Sequence, residues 1–161
     1  MLKRTVLQLS AAAALLALGA CASTPAPTTV TDTVARTPQL STLSRLLTQA
    51  DLADALRGTG PFTLFAPSDD AFKAVPAATM AQLANDKALL RSVLSYHVVP
   101  GKLLSADIKN GPVKTLQGAN VQLSKSGTFV TVEDAVVQQA DIVATNGVVH
   151  VIDRVLIPPK Q

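Results

Sequence analysis

Residues 60–72 read GPFTLFAPSDDAF, and the rest of the chain is organised around them. Phe62, Phe65 and Phe72, three of the four phenylalanines, lie in this stretch, in a chain with no tryptophan and one tyrosine. Aromatic side chains bury the most surface per residue, so the core should be densest here. Residues 62–66 are β-prone and nearly all apolar, the pattern of a strand covered on both faces. Pro67 keeps Ala66 extended and removes the next ladder donor. Ser68 suits an N-cap, and Asp69 and Asp70 fall in the first helical turn, where the positive dipole end favours carboxylates. The stretch predicts a strand, a sharp corner and a short capped helix.

Upstream, Leu40, Leu43, Leu46 and Leu47 recur at helical spacing, with Ser41 near the start. Leu52, Ala55 and Leu56 extend that pattern into a second short helix, which Asp51 would cap and Gly58 and Gly60 would end. Downstream, Pro76 interrupts the chain and residues 79–83 give another helical turn. Asn85 or Asp86 then opens a clearer helix that runs through His97, with Leu89, Leu90, Val93 and Leu94 as its buried stripe. Pro100 and Gly101 stop it. From Pro112 the period changes to that of strands, with short runs at 113–116, 121–123, 129–132, 136–138, 142–145 and 148–152. Asn146-Gly147 is the strongest hairpin signal, because both residues tolerate positive φ. No internal repeat is visible, so one domain is expected.

Three separated segments carry a resemblance. GPFTLFAPSDDAF at 60–72 resembles the first signature box of the fasciclin domain family. YHVVPGKL at 96–103 is similar to the family's Tyr-His segment, and NGVVHVIDRVLIP at 146–158 to its second box. Together they cover about 39–158, the size of one domain. The resemblance implies an α+β fold: a fasciclin-like domain, a short-stranded β-sandwich or wedge flanked by several short helices. It also implies that the C-terminal strand pairs near the strand of the first box. The Tyr-His segment is implicated in integrin binding in animal members, which makes Tyr96 and His97 candidate partner-binding residues.

The N-terminus reads as an export signal, residues 1–20. Lys3 and Arg4 form its charged start, and residues 11–18 form an apolar run too short to span a bilayer. It ends LGAC, which resembles the lipobox of bacterial lipoproteins and makes Cys21 a lipid-attachment site. As the only cysteine, Cys21 has no intramolecular disulfide partner. Ala22 after it, rather than aspartate, points to the outer membrane. The alternative is an ordinary A-x-A cleavage at Ala20-Cys21-Ala22 and a secreted protein. Residues 22–38 are rich in Thr, Ala and Pro and read as a disordered tether reaching at most ~55–60 Å. An N-terminal strand at 28–34 is the other reading. The domain proper is expected at 39–161.

The net charge is +3, and removing Lys3 and Arg4 leaves 3 − 2 = +1. The remaining cations are scattered, without a basic cluster interleaved with aromatics, so nucleic acid is not an expected partner. His97 and His150 are the only histidines and lack metal-ligand spacing, so neither a metal nor a cofactor is expected. No nucleophile elbow accompanies Ser68, so a triad of Ser68, His97 and Asp69 or Asp153 has little motif support. His97 reads as a helix-end residue whose nitrogens bond nearby backbone, and His150 as a half-exposed strand residue. Asp69 and Asp70 read as caps rather than an acid/base couple, and Asp153-Arg154 as a solvated or ion-paired turn. The expectation is a non-enzymatic, membrane-anchored interaction or adhesion module. Its partner would be a protein or glycan of the cell surface, matrix or envelope. The alternative is a periplasmic carrier or sensor of a small apolar ligand.

Overall fold

Residues 28–159 are described by a computed structural model. Seven strands form one sheet: β1 (Phe62–Pro67), β2 (Val98–Pro100), β3 (Gly111–Lys114), β4 (Asn120–Ser126), β5 (Phe129–Val132), β6 (Ala135–Ala144) and β7 (Gly147–Ile152). Their spatial order is β2-β1-β7-β6-β5-β4-β3. Only β1 and β7 pair in parallel, from Phe62 opposite Gly147 to Pro67 opposite Ile152, as the resemblance implied. The sheet curls until its two ends meet, where the Leu116 N–H donates to the Val98 carbonyl at 2.8 Å. Pro100 and Pro112 sit in the two edge strands, where a missing N–H is tolerated.

Among the described residues five α-helices accompany the sheet: α1 (Val30–Arg36), α2 (Ser41–Gln49), α3 (Asp69–Lys73), α4 (Ala77–Asn85) and α5 (Lys87–Tyr96). Because side chains alternate along a strand, β1 and β7 feed two cores. Leu64, Ala66, Val149 and Val151 face the helical layer, against Leu43, Leu47, Leu90 and Leu94. Phe65 and Ile152 face the inside of the curled sheet, against Val121, Leu123, Val130 and Val132. The first-box reading therefore holds: β1 is covered on both faces, and the Ser68 hydroxyl caps α3 by accepting from the Ala71 N–H at 3.3 Å. Asp69 does more than favour its own helix. Its carboxylate accepts from the Thr42 N–H at 2.8 Å and the Ser41 hydroxyl at 2.7 Å, joining the start of α2 to α3.

Several expectations need correction. The tether does not extend to residue 38, and the alternative strand at 28–34 does not form. Thr29 and Asp32 make a capping box that starts α1, and Val30 and Val34 are fully buried. Apolar residues four apart gave α1 a face to bury, which outweighed the Thr/Pro-rich composition. Asp51 caps nothing; it adopts a left-handed φ of 55° and pairs with Lys87, while Ala55–Arg57 is a single 3₁₀ turn. Leu89 leaves the stripe of α5 and is 37% exposed. The runs at 136–138 and 142–145 belong to one strand, β6, broken in register between Val137 and Ile142. The brief strand β2 follows α5 where only a stop was expected.

Candidate interaction cleft

The parallel pair β1–β7 gives the molecule two ends. Both strands start where Gly147 and Phe62 meet and finish near Pro67 and Ile152. Beyond that finish, residues 153–159 run across the mouth of the curled sheet without regular structure. They are fixed from below by His97. Its Nδ1–H donates to the Val93 carbonyl at 2.8 Å, and its Nε2 accepts from the Leu156 N–H at 2.9 Å. These partners set the tautomer. His97 is 0% exposed, and burial, partly opposed by the Val93 bond, lowers its pKa to about 4. The helix-end reading of His97 is thus correct, but the residue also reaches 59 positions along the chain to Leu156.

Tyr96 points the other way, into the second core, and its hydroxyl donates to the Asn120 carbonyl at 3.0 Å and Glu133 Oε1 at 3.3 Å. Glu133 turns the chain between β5 and β6 with a φ of 53° and also accepts from the Gln122 N–H. Burial, reinforced by the Glu133 charge, raises the Tyr96 pKa. The phenol edge forms part of the floor of a cleft of about 510 Å³ walled by Glu133, Asp134, Arg154 and Ile157. A neighbouring cleft of about 390 Å³, toward Ala74 and Pro76, shares Arg154, Val155 and Ile157. Residues 154–157 are therefore a ridge between two grooves. Ile157 is 60% exposed on it, and Arg154 makes no ion pair among the described residues. An exposed aliphatic beside a free guanidinium and two carboxylates is suited to docking a surface of mixed polarity.

Tyr96 and His97 are both interior, so a partner meets at most the phenol edge of Tyr96, and His97 acts by holding the strap above it. Ser68 is buried with its hydroxyl engaged as a cap, and both His97 nitrogens are engaged by backbone, so the two do not form a nucleophile–base pair. His150 is not half-exposed. It is 0% exposed, stacked on Phe65 with centroids 5.6 Å apart, and bonded through both nitrogens. Its Nε2–H donates to the Leu103 carbonyl at 2.7 Å and its Nδ1 accepts from the Asp141 N–H at 3.2 Å. Burial lowers its pKa, while the Leu103 bond and the Asp141 charge partly restore it. Asp153 is half-buried and makes no ion pair among the described residues; it accepts from the Val136 N–H at 2.7 Å. No cluster of three His, Cys, Asp or Glu close enough for a metal occurs among the described residues. Cys21 lies outside them, and none of their helices is long and apolar enough to cross a membrane.

Arg154 and Ile157 were missed by sequence reasoning, which took Asp153-Arg154 as a simple turn. The available signal was NGVVHVIDRVLIP itself: an arginine amid aliphatics past the end of a strand.

A solved FAS1 domain pair from the insect cell adhesion molecule fasciclin I matches with a TM-score of 0.64 at 19% identity, over 81% of this chain and 51% of that one, so this chain spans about half its length. Among sequences, protein sll1483 of Synechocystis is 42% identical over 86% of this chain and 78% of its own. The cell surface glycolipoprotein MPB83 of Mycobacterium bovis is 39% identical over 77% of this chain and 58% of its own. The fasciclin domain model matches residues 38–158, and the chain belongs to the fasciclin domain family.

Proposed function

We propose that this protein is a lipid-anchored, extracytoplasmic interaction module that docks a cell-surface, matrix or envelope component through the ridge at 154–157. The observation that carries the reading is the division of labour at the far end of β1–β7. The groups that could react, Ser68 and His97, are committed to backbone hydrogen bonds, while Arg154 and Ile157 stand free above two open grooves. Half-polar, open grooves suit a protein or glycan surface better than an enclosed apolar ligand would. The anchor rests on the lipobox at Cys21. A 39% identical relative described as a cell surface glycolipoprotein supports it, and Ala22 supports the outer membrane as destination. Tethering raises the local concentration of the ridge at the cell surface, so even a weak contact becomes effective.

The test is complementation of a deletion strain in an attachment or biofilm assay. The wild-type gene should restore attachment. A doubly substituted Arg154→Glu, Ile157→Asp chain with an unchanged melting curve should not, and its full activity would reject the ridge. Cys21→Ser should move the protein from the membrane to the soluble fraction; continued membrane association would reject the lipid anchor.

A further inference from the structure

We propose that the end of the molecule where residue 28 leaves the body is a membrane-facing surface, held against the headgroups of the bilayer that carries Cys21. This rests on the lipid-anchor reading and adds an orientation to it. The exit point is fixed on the body. The Thr28 carbonyl accepts from the Thr145 N–H at 2.9 Å and the Thr145 hydroxyl at 3.1 Å, and the Val30 N–H donates to Asn146 Oδ1 at 2.8 Å. Thr145 and Asn146 form the turn between β6 and β7, so the chain leaves beside the starts of β1 and β7.

The connection to the lipid is short. Only residues 22–27 separate Cys21 from Thr28. Seven Cα-to-Cα steps span at most ~25 Å whatever their conformation. A body of this length has a diameter of about 36 Å, from a radius of gyration of about 14 Å. Bringing the opposite pole to the bilayer would require the leash to pass around half the circumference, about 55 Å on the same scale. The leash is roughly half that, so the exit end stays toward the lipid and the ridge at 154–157, past the other ends of β1 and β7, points away.

The exit surface has the chemistry to rest there. A cleft of about 510 Å³ lies beside the exit, walled by Arg57, Thr59, Pro61, Lys102 and Thr145. Arg57 is held by Asp54 at 3.0 Å, but Lys102 is exposed and makes no ion pair among the described residues. Val143, just before the turn, is 59% exposed. Hydroxyls, a free ammonium and one aliphatic side chain match the headgroup layer.

The test uses the full-length acylated chain in vesicles of phosphatidylethanolamine and phosphatidylglycerol carrying a headgroup-linked energy acceptor. A donor dye is placed at Thr59→Cys, on the exit end, or at Lys73→Cys, at the other end of β1; both sites are exposed. Transfer from position 59 should exceed that from 73 severalfold, and a long Gly/Ser spacer inserted after Ala22 should erase the difference. Lys102→Glu should lower transfer from position 59. Equal transfer from the two sites at native tether length, or no response to Lys102→Glu, would overturn the proposal while leaving the anchor intact. A mass spectrum without an acyl adduct would overturn the anchor reading, and the orientation with it.

Discussion

The two ends of the β1–β7 pair are fastened by different chemistry. At the start, an amide does the work: Asn146 Oδ1 accepts from the Val30 N–H, and its Nδ2 donates to the Leu56 carbonyl at 2.7 Å and the Gly58 carbonyl at 2.9 Å. One side chain thus joins α1, the 3₁₀ turn at Ala55–Arg57 and the β6–β7 hairpin. At the finish, an imidazole joins α5 to the strap through Val93 and Leu156. An amide does not titrate, whereas a buried imidazole trades hydrogen bonds for charge as the pH falls. The Asn146 end is therefore built to be constant, and the end bearing the candidate docking ridge is built to respond to acid.

The sharpest way to break the first end is Gly147→Ala. A Cβ there would lie 2.0 Å from the Phe62 carbonyl oxygen and 2.9 Å from Val30 Cγ2, so β1, β7 and α1 would have to separate. The expected loss is about 4 kcal/mol or more, read from urea unfolding; a loss below ~1 kcal/mol would show that the contact is soft. The matching attack on the other end is His97→Phe, which keeps a planar aromatic ring but leaves the Leu156 N–H and Val93 carbonyl unpaired. It should cost about 3 kcal/mol, from two orphaned buried groups. Hydrogen exchange should localise the damage to residues 153–159.

Gly147 also shows what was legible in the sequence. Asn146-Gly147 correctly marked a hairpin, but neither residue has positive φ. The asparagine is there for its amide and the glycine for lack of a Cβ, and both reasons involve residues more than eighty positions away. Local patterns carried the local features: the strand at Phe62, the Ser68 cap and the helix starting after Asp86. The family's three boxes carried the β1–β7 pairing. α1 was legible in principle, since Thr29-x-x-Asp32 is a capping signature and Val30 and Val34 share a face, but Pro25, Pro27 and Pro38 drew the reading toward a tether. His150 was misjudged because alternation implies one solvated face, and a strand lying between two cores has none. The ridge at 154–157 depends on how residues 153–159 cross the sheet mouth, which no period encodes.

Acid should separate the two ends without any substitution. An unfolded histidine titrates near 6.5, whereas burial holds folded His97 near 4. Between these values the unfolded chain binds a proton that the folded chain refuses, so stability is full above pH 6.5, drains as the pH falls and levels near 4. The swing attributable to His97 is about 3 kcal/mol at most. His150, also lowered, adds in the same direction. In native-state hydrogen exchange the Leu156 amide should lose protection across this window, while the Val30 amide, which faces Asn146, should follow only the global change. In His97→Phe the pH slope should shrink to the His150 share; an unchanged slope would assign the titration elsewhere.

Asn146→Ala should have the smallest effect of the four, although it removes the most hydrogen bonds. Three backbone groups lose a partner, but they are not equally dry. Gly58 is exposed, so water replaces the amide there, whereas the Val30 N–H and Leu56 carbonyl belong to residues that pack into the helical core. Two partly buried orphans cost about 2 kcal/mol. Part of that is recovered because α1 retains its own capping box and the two bonds from Thr145 to Thr28. The loss should be independent of pH between 4 and 6.5, since no titrating group is involved. A pH-dependent loss would mean that the two ends of β1–β7 communicate, and the distinction between a constant end and a responsive one would fail.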